Sequence, residues 1–82
     1  MTTQESLVQK ATVLGGGSFG TAIANILAEN GFQVSLWMRN PQAVADINDS
    51  HENKQYLPGV VLHTGIHATD DLTQAINGSQ VV

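Results

Sequence analysis

Ala11-Thr12-Val13-Leu14-Gly15-Gly16-Gly17-Ser18-Phe19-Gly20 is the stretch that decides the fold of this chain. Ala11 to Leu14 is a short apolar run suited to a strand buried on both faces. From Ser18 onward the apolar residues Phe19, Ala22, Ile23, Ile26 and Leu27 recur at steps of three and four, the period of a helix. Between the two runs, Gly15, Gly17 and Gly20 stand at G-x-G-x-x-G spacing. A bare match to that spacing is common by chance, whereas one placed on a strand-to-helix turn has the context a dinucleotide-binding βαβ unit requires. A glycine-rich turn that only joins a strand to a helix is the rival reading, and the flanking pattern weighs against it.

The physical case for the glycines is specific. A diphosphate needs backbone N–H donors at close range and a favourable field, and a helix N-terminus offers both where the loop before it has no Cβ atoms in the way. Gly15 is expected to permit the tight turn, Gly17 to let a diphosphate approach the main chain, and Gly20 to let the helix pack closely on the first two strands. The helix dipole adds only about 0.3 to 1 kcal/mol for an anion, so shape carries much of the selection. Ser18 and Phe19 each have two readings. Ser18 reads as the N-cap of the helix and Phe19 as a residue packed under the loop, roles that coexist with phosphate contact through their main-chain amides.

Outward from this stretch the elements follow in order. Asn30-Gly31 stops the first helix, Phe32 to Met38 reads as a second strand, and Arg39-Asn40-Pro41 ends it. Asn40 is a good N-cap and Pro41 a good first helical residue for a short helix whose stripe, Ala43, Val44 and Ile47, fades near Ser50. His51 to Lys54 is polar, Tyr56-Leu57-Pro58-Gly59 reads as an ordered loop, and Val60 to Leu62 sits too close to Pro58 for a strand. Ile66 to Thr69 is expected to be a third strand. Asp70-Asp71 open a third helix with the stripe Leu72, Ala75 and Ile76, which stops at Asn77-Gly78. Ser79-Gln80-Val81-Val82 reads as the start of a fourth strand, and Met1 to Gln9, polar apart from Leu7 and Val8, is expected to fray.

This β-α-β-α-β-α-β order predicts an α/β fold, a Rossmann-type doubly wound parallel sheet truncated after the start of the fourth strand. Residues 1–10 are expected to be a flexible N-terminus and residues 11–82 the N-terminal part of a dinucleotide-binding domain. Because the chain ends inside an apolar run, it is expected to be a fragment of a longer protein. The unfinished strand edge also makes a homodimer or swapped pair a possible assembly.

Composition narrows the partners. The 82 residues make at most one small domain, of a size that buries a little over roughly 60% of its unfolded surface. The chain is 41% apolar and 12% charged, a globular balance. No stretch approaches the roughly 18 apolar residues of a membrane span. Three Lys plus Arg against seven Asp plus Glu give a net charge of −4, which disfavours a nucleic-acid partner. There are no cysteines, hence no disulfide framework and no thiolate nucleophile or metal ligand. Met1 to Lys10 lacks the pattern of a signal peptide, so the default compartment is cytoplasmic. His51, His63 and His67 lack metal-ligand spacing and read as surface or loop residues. Asp70 and Asp71 read as helix-capping residues rather than a catalytic pair, and Asp46 and Glu52 as solvated charges.

One further position bears on the nucleotide. At the end of the second strand, about twenty residues past the glycines, an Asp or Glu would bond the adenosine ribose and favour NAD. Here it is Arg39. A guanidinium cannot accept those bonds but pairs with a 2′-phosphate, a contact worth about 1.5 to 3 kcal/mol before screening, so the preference leans to NADP, with NAD also used. The alternative for Arg39 is a solvated charge at a strand end.

Val13 to Ala24, V-L-G-G-G-S-F-G-T-A-I-A, together with Asn30-Gly31, Leu36-Trp37-Met38-Arg39-Asn40-Pro41, Glu52-Asn53 and Tyr56-Leu57-Pro58-Gly59, resembles the bacterial NAD(P)-dependent sn-glycerol-3-phosphate dehydrogenases. The resemblance runs from about Ala11 to the end of the chain. It implies reversible hydride transfer between NAD(P)H and dihydroxyacetone phosphate, giving sn-glycerol 3-phosphate for glycerophospholipid synthesis in the cytoplasm. It implies that the amides of Ser18 and Phe19 and the side chain of Arg39 contact the cofactor. The catalytic lysine, the substrate-binding residues and the helical C-terminal domain of that family would lie beyond Val82. No catalytic residue is therefore assigned here, and the 82 residues alone are not expected to turn over. The family often carries Ala where Gly16 stands. Two other readings stay open: another reductase, such as a ketopantoate-type enzyme, which would share Gly15 to Gly20 but not the Tyr56 to Gly59 loop, and a regulatory module that binds NAD(P) without catalysis.

Overall fold

The computed structural model describes residues 9–15, 17–77 and 80–81. Four strands alternate with three helices: β1 (Lys10–Leu14), α1 (Ser18–Glu29), β2 (Gln33–Trp37), α2 (Pro41–Ser50), β3 (Ile66–Thr69), α3 (Leu72–Ile76) and β4 (Gln80–Val81). The expected order of elements is the observed one. β1 begins at Lys10, paired with Gln33, one residue before the apolar run and inside the stretch expected to be flexible. The rest of that N-terminal expectation, for residues 1–8, lies outside the described residues, as do the readings of Gly16, Gly78, Ser79 and Val82.

All pairings are parallel and the strand order is β3-β2-β1-β4. The chain moves from β1 to β2 to β3 in one direction and then returns past β1 to β4. With right-handed crossovers this places α1 and α2 on one face and α3 on the other.

Register makes the two faces chemically distinct, because side chains alternate across a strand. Ala11 and Val13 on β1 lie beside Val34 and Leu36 on β2, and these beside Ile66 and Ala68 on β3. All six are buried, forming a core with Ala24 and Ala28 of α1 and Ala43 and Ile47 of α2. The opposite face carries Thr12, Ser35, Trp37, His67 and Thr69, and there α3 is fastened by polar contacts. The Thr12 hydroxyl donates to the Ala75 carbonyl, the Trp37 indole N–H donates to the Asp70 carbonyl at 3.1 Å, and Thr69 bonds Gln74 at 3.0 Å. β1 is thus buried on both faces, but by apolar packing on one side and by hydrogen bonding on the other.

The helix ends follow their residue types. The Asn40 side chain accepts from the amides of Gln42 and Ala43 and Pro41 occupies the first turn of α2, as expected. The Asp71 carboxylate accepts from the Gln74 amide and caps α3. At the outer edge of the sheet, the Asn48 side-chain amide bonds both the carbonyl of Ala68 at 2.9 Å and its N–H at 2.8 Å. Asn48 so occupies edge groups that would otherwise be open to another strand.

Two packing expectations change. Ile26 is 54% exposed, while α1 buries Thr21, Ala24 and Ala28 with Ile23 and Leu27 partly covered. The helix lies close against the sheet, so small residues form the contact line and the longer aliphatics flank it. Leu72 and Ile76 are likewise exposed, with Ala75 alone of the α3 stripe buried. A helix of five residues held by backbone contacts covers little apolar surface.

Candidate functional site: the glycine turn and the cleft beside it

Strand order locates the site before any side chain does. β2 lies on one side of β1 and β4 on the other, so the order reverses at β1, and crevices in open parallel sheets form at the carboxyl ends of strands at such a reversal. The turn after β1 fills this place. Gly15 has φ +104°, a value that side-chain-bearing residues rarely adopt, and its N–H donates to the Trp37 carbonyl at 2.8 Å. The chain therefore leaves β1 while still tied to the end of β2.

Gly17 and Gly20 differ in their surroundings. A Cβ on Gly20 would overlap the Gly15 carbonyl oxygen and lie 3.7 Å from Val13 Cγ1, so α1 cannot sit where it does with any larger residue there. The close neighbour is the loop's own carbonyl, and the β2 backbone expected beside Gly20 is not among the nearest atoms. A Cβ on Gly17 would meet nothing within 4 Å. No packing inside the fold requires glycine at position 17, and the main chain there is open to solvent.

Gly17, not Ser18, is the N-cap of α1, and it supplies no side-chain cap. Ser18 is already helical, and the first intrahelical bond runs from the Thr21 amide to the Gly17 carbonyl at 2.9 Å. The amides of Ser18, Phe19 and Gly20 precede it, and no acidic residue stands in this turn to compete for them. Phe19 is 79% exposed, which corrects the reading that it packs beneath the loop. A helix start of this kind presents N–H donors and the positive end of the dipole to an anion.

Beside the turn lies a cleft of about 280 Å³ lined by Gly17, Met38, Arg39, Asn40 and Tyr56. It joins the glycine turn to the residue that ends β2. The Arg39 guanidinium stands over the Trp37 ring at 5.7 Å from its centroid, within cation–π range. A larger cleft of about 400 Å³ lies among Lys10, Gln33, Thr64 and Gly65, at the amino ends of the strands. Its size does not outweigh its position, because the amides and the strand-order reversal are at the other end.

The far wall of the smaller cleft is the segment 52–59, which the sequence marked only as a loop. Asn53 and Leu57 bridge each other, with the Leu57 N–H donating to the Asn53 carbonyl at 2.8 Å. Glu52, expected to be solvated, accepts from the Gly59 amide at 3.0 Å and closes the loop at its base. Asn53 is fully buried and its Nδ2 donates to Thr21 Oγ1 of α1 at 2.8 Å, while its Oδ1 accepts from the Tyr56 amide at 3.3 Å. Asn40 donates to Gln55 Oε1 at 2.8 Å. The histidines stay apart from the site. His51 is the left-handed C-cap of α2, and His63 Nδ1 accepts from the Gly65 amide at 2.9 Å.

A parallel sheet whose order reverses at the strand feeding a glycine turn and an uncapped helix start defines a Rossmann-type α/β unit. The comparisons carry the class to a family. The chain belongs to the family of the NAD-dependent glycerol-3-phosphate dehydrogenase N-terminus, whose model matches residues 10–82. It is 51% identical over 80 residues to a glycerol-3-phosphate dehydrogenase, NAD(P)+, from Alcanivorax borkumensis, covering 98% of this chain and 23% of that protein. The same-named protein of Staphylococcus haemolyticus is 51% identical over 72 residues, covering 88% of this chain and 22% of its own length. The crystal structure of glycerol-3-phosphate dehydrogenase from Coxiella burnetii superposes with a TM-score of 0.80 at 32% identity, over 88% of this chain and 22% of that one. The solved structure of the Plasmodium falciparum glycerol-3-phosphate dehydrogenase gives 0.79 at 33% identity, over 92% and 24%. The chain spans under a quarter of the length of these curated relatives. No helix among the described residues is long and apolar enough to cross a membrane.

Proposed function

We propose that this chain holds the nicotinamide cofactor, NADP in preference to NAD, of an enzyme that interconverts dihydroxyacetone phosphate and sn-glycerol 3-phosphate. Residues 11–82 form the first part of its dinucleotide-binding domain. The observation that carries the reading is Gly17, whose Cβ position faces empty space beside the α1 amides. Glycine suits this N-cap position, and it also leaves the main chain open to a group that approaches the α1 amides closely.

The residues divide the work as follows. Gly15 turns the chain, Gly17 clears the approach, and Gly20 seats α1 so that the Ser18 and Phe19 amides face the diphosphate. Arg39, held over Trp37, faces the same cleft as Gly17 and pairs with a 2′-phosphate where a carboxylate would repel it. The bound cofactor supplies or accepts the hydride. No residue of this chain is assigned to proton transfer, and the reading leaves the 82 residues alone without turnover. In this reading the enzyme works in the cytoplasm, feeds glycerophospholipid synthesis and has no nucleic-acid partner, and the 82-residue chain pairs as a homodimer through its β4 edge.

Titration with NADPH and NADH by calorimetry tests the cofactor role. Arg39→Asp is expected to weaken NADPH roughly ten- to a hundredfold, the span of one charge-assisted contact, and to spare or improve NADH. Equal NADPH curves for the two proteins would remove Arg39 from the site. Binding of neither coenzyme by the unsubstituted chain would end the reading.

A further inference from the structure

The buried pair Asn53 and Thr21 takes no direct part in the site as described, yet it joins the two walls of the cleft. We infer that Asn53 is a positioning residue that, through Thr21, sets the distance between the glycine turn and the Tyr56 wall and so tunes affinity for the nucleotide; this rests on the cofactor-binding reading above.

The argument starts from cost. An amide side chain buried to 0% exposure is unfavourable unless its polar atoms are bonded. Asn53 meets that need by spanning elements 32 residues apart in sequence. Its Nδ2 reaches Thr21 Oγ1, and Thr21 N–H makes the first helical bond to the Gly17 carbonyl. Its Oδ1 reaches the Tyr56 amide, and Tyr56 lines the cleft opposite Gly17 and Arg39. One side chain therefore touches the start of α1 through one atom and the opposite wall through the other. Among the described residues the wall is also tied by apolar packing and by Gln55. Leu57 is half-buried in the core, and Gln55 bonds Asn40. Tyr56 is 45% exposed. Without the Asn53 to Thr21 bond, the wall would keep its internal turn but lose a direct, buried hydrogen bond to the helix that carries the phosphate-facing amides.

The test compares Thr21→Val, which removes the acceptor at nearly constant shape, Asn53→Ala, the double variant, and Thr21→Ser, which keeps the hydroxyl. NADPH affinity of the 82-residue chain is measured by calorimetry at a temperature where circular dichroism shows each protein folded. Thr21→Val and Asn53→Ala are each expected to raise Kd roughly three- to tenfold, the scale of one neutral hydrogen bond. Asn53→Ala loses the Tyr56 contact as well as the Thr21 bond, so the double variant is expected to bind no worse than Asn53→Ala alone, because Thr21 acts on the wall through Asn53. Thr21→Ser is expected to bind as the unsubstituted chain does even where its melting temperature falls. Should Asn53→Ala not fold, Thr21→Val against Thr21→Ser carries the comparison. Unchanged Kd in Thr21→Val, or single effects that multiply in the double variant, overturns the positioning role while leaving the cofactor reading intact. An unsubstituted chain that binds no coenzyme overturns both.

Discussion

At the residue scale, the three glycines of the motif do three different things, and two of them are properties of the fold alone. Gly20 is fixed by the Gly15 carbonyl oxygen that any Cβ would strike. Because that atom belongs to the backbone of a turn already tied to Trp37, it cannot step aside as a side chain would. Gly20→Ala is expected to destabilise by roughly 1 to 3 kcal/mol, the usual cost of overpacking, read by urea denaturation. Gly17→Ala has the opposite signature. Its φ of −68° suits alanine and nothing stands near the new methyl. The weaker N-cap and the stiffer unfolded chain oppose each other, so stability should stay within about 1 kcal/mol. NADPH affinity is expected to fall at least roughly tenfold, the equivalent of about 1.4 kcal/mol, because the methyl projects where the diphosphate must approach. A Gly17→Ala protein that binds normally would show that position 17 is glycine for some other reason. Spacing made the tight turn at Gly15 legible and the need for close packing at Gly20, but not that the close neighbour is the Gly15 carbonyl. It did not distinguish Ser18 from Gly17 as the N-cap, since either residue type caps a helix.

At the scale of elements, the boundaries of α2 and α3 were readable because each carries local punctuation: Asn40-Pro41 before α2, and Asp71 before α3. The facing of α1 was not. Nearly every position from Ala22 to Ala28 is apolar, so periodicity located the helix without showing which side meets the sheet, and close packing selected Ala24 and Ala28 over Ile26. Ile26→Lys is accordingly expected to change stability by less than about 0.5 kcal/mol, whereas a substitution of the same kind at Ala28 would bury a charge. Asn40→Ala is expected to cost about 0.5 to 2 kcal/mol through its lost cap, and it also releases Gln55. Chemical denaturation of the two variants checks both. The loop at Tyr56 to Gly59 was read as ordered, but its tie to α1 and the Asn48 edge contact were illegible for another reason. Each depends on a side chain finding a partner 20 or more residues away, and no local pattern encodes such a pairing.

At the scale of the whole molecule, the sheet is held unequally. The face under α1 and α2 is closed by Leu36, Ile47, Val34 and Ile66, all buried, and each such side chain contributes about 1.5 to 3 kcal/mol by leaving water. The face under α3 is closed by hydrogen bonds over a helix of five residues, with Leu14, Leu72, Ile76 and Val81 exposed around it. Stability on that side is small, so anything that binds the folded form alone should shift the folding equilibrium visibly. A ligand present at a hundred times its Kd adds about 2.7 kcal/mol. In a domain of this size each kcal/mol moves the melting temperature by about 4 to 8 °C, so NADPH at that concentration is expected to raise it by roughly 10 to 20 °C. Gly17→Ala should melt near the unsubstituted chain without ligand and gain little at the same NADPH concentration, and Arg39→Asp should lose more of the NADPH shift than of the NADH shift. Thermal scans across a coenzyme series separate these outcomes. A melting temperature indifferent to both coenzymes would mean that the open space beside Gly17 is not where a nucleotide binds, whatever the order of the strands around it.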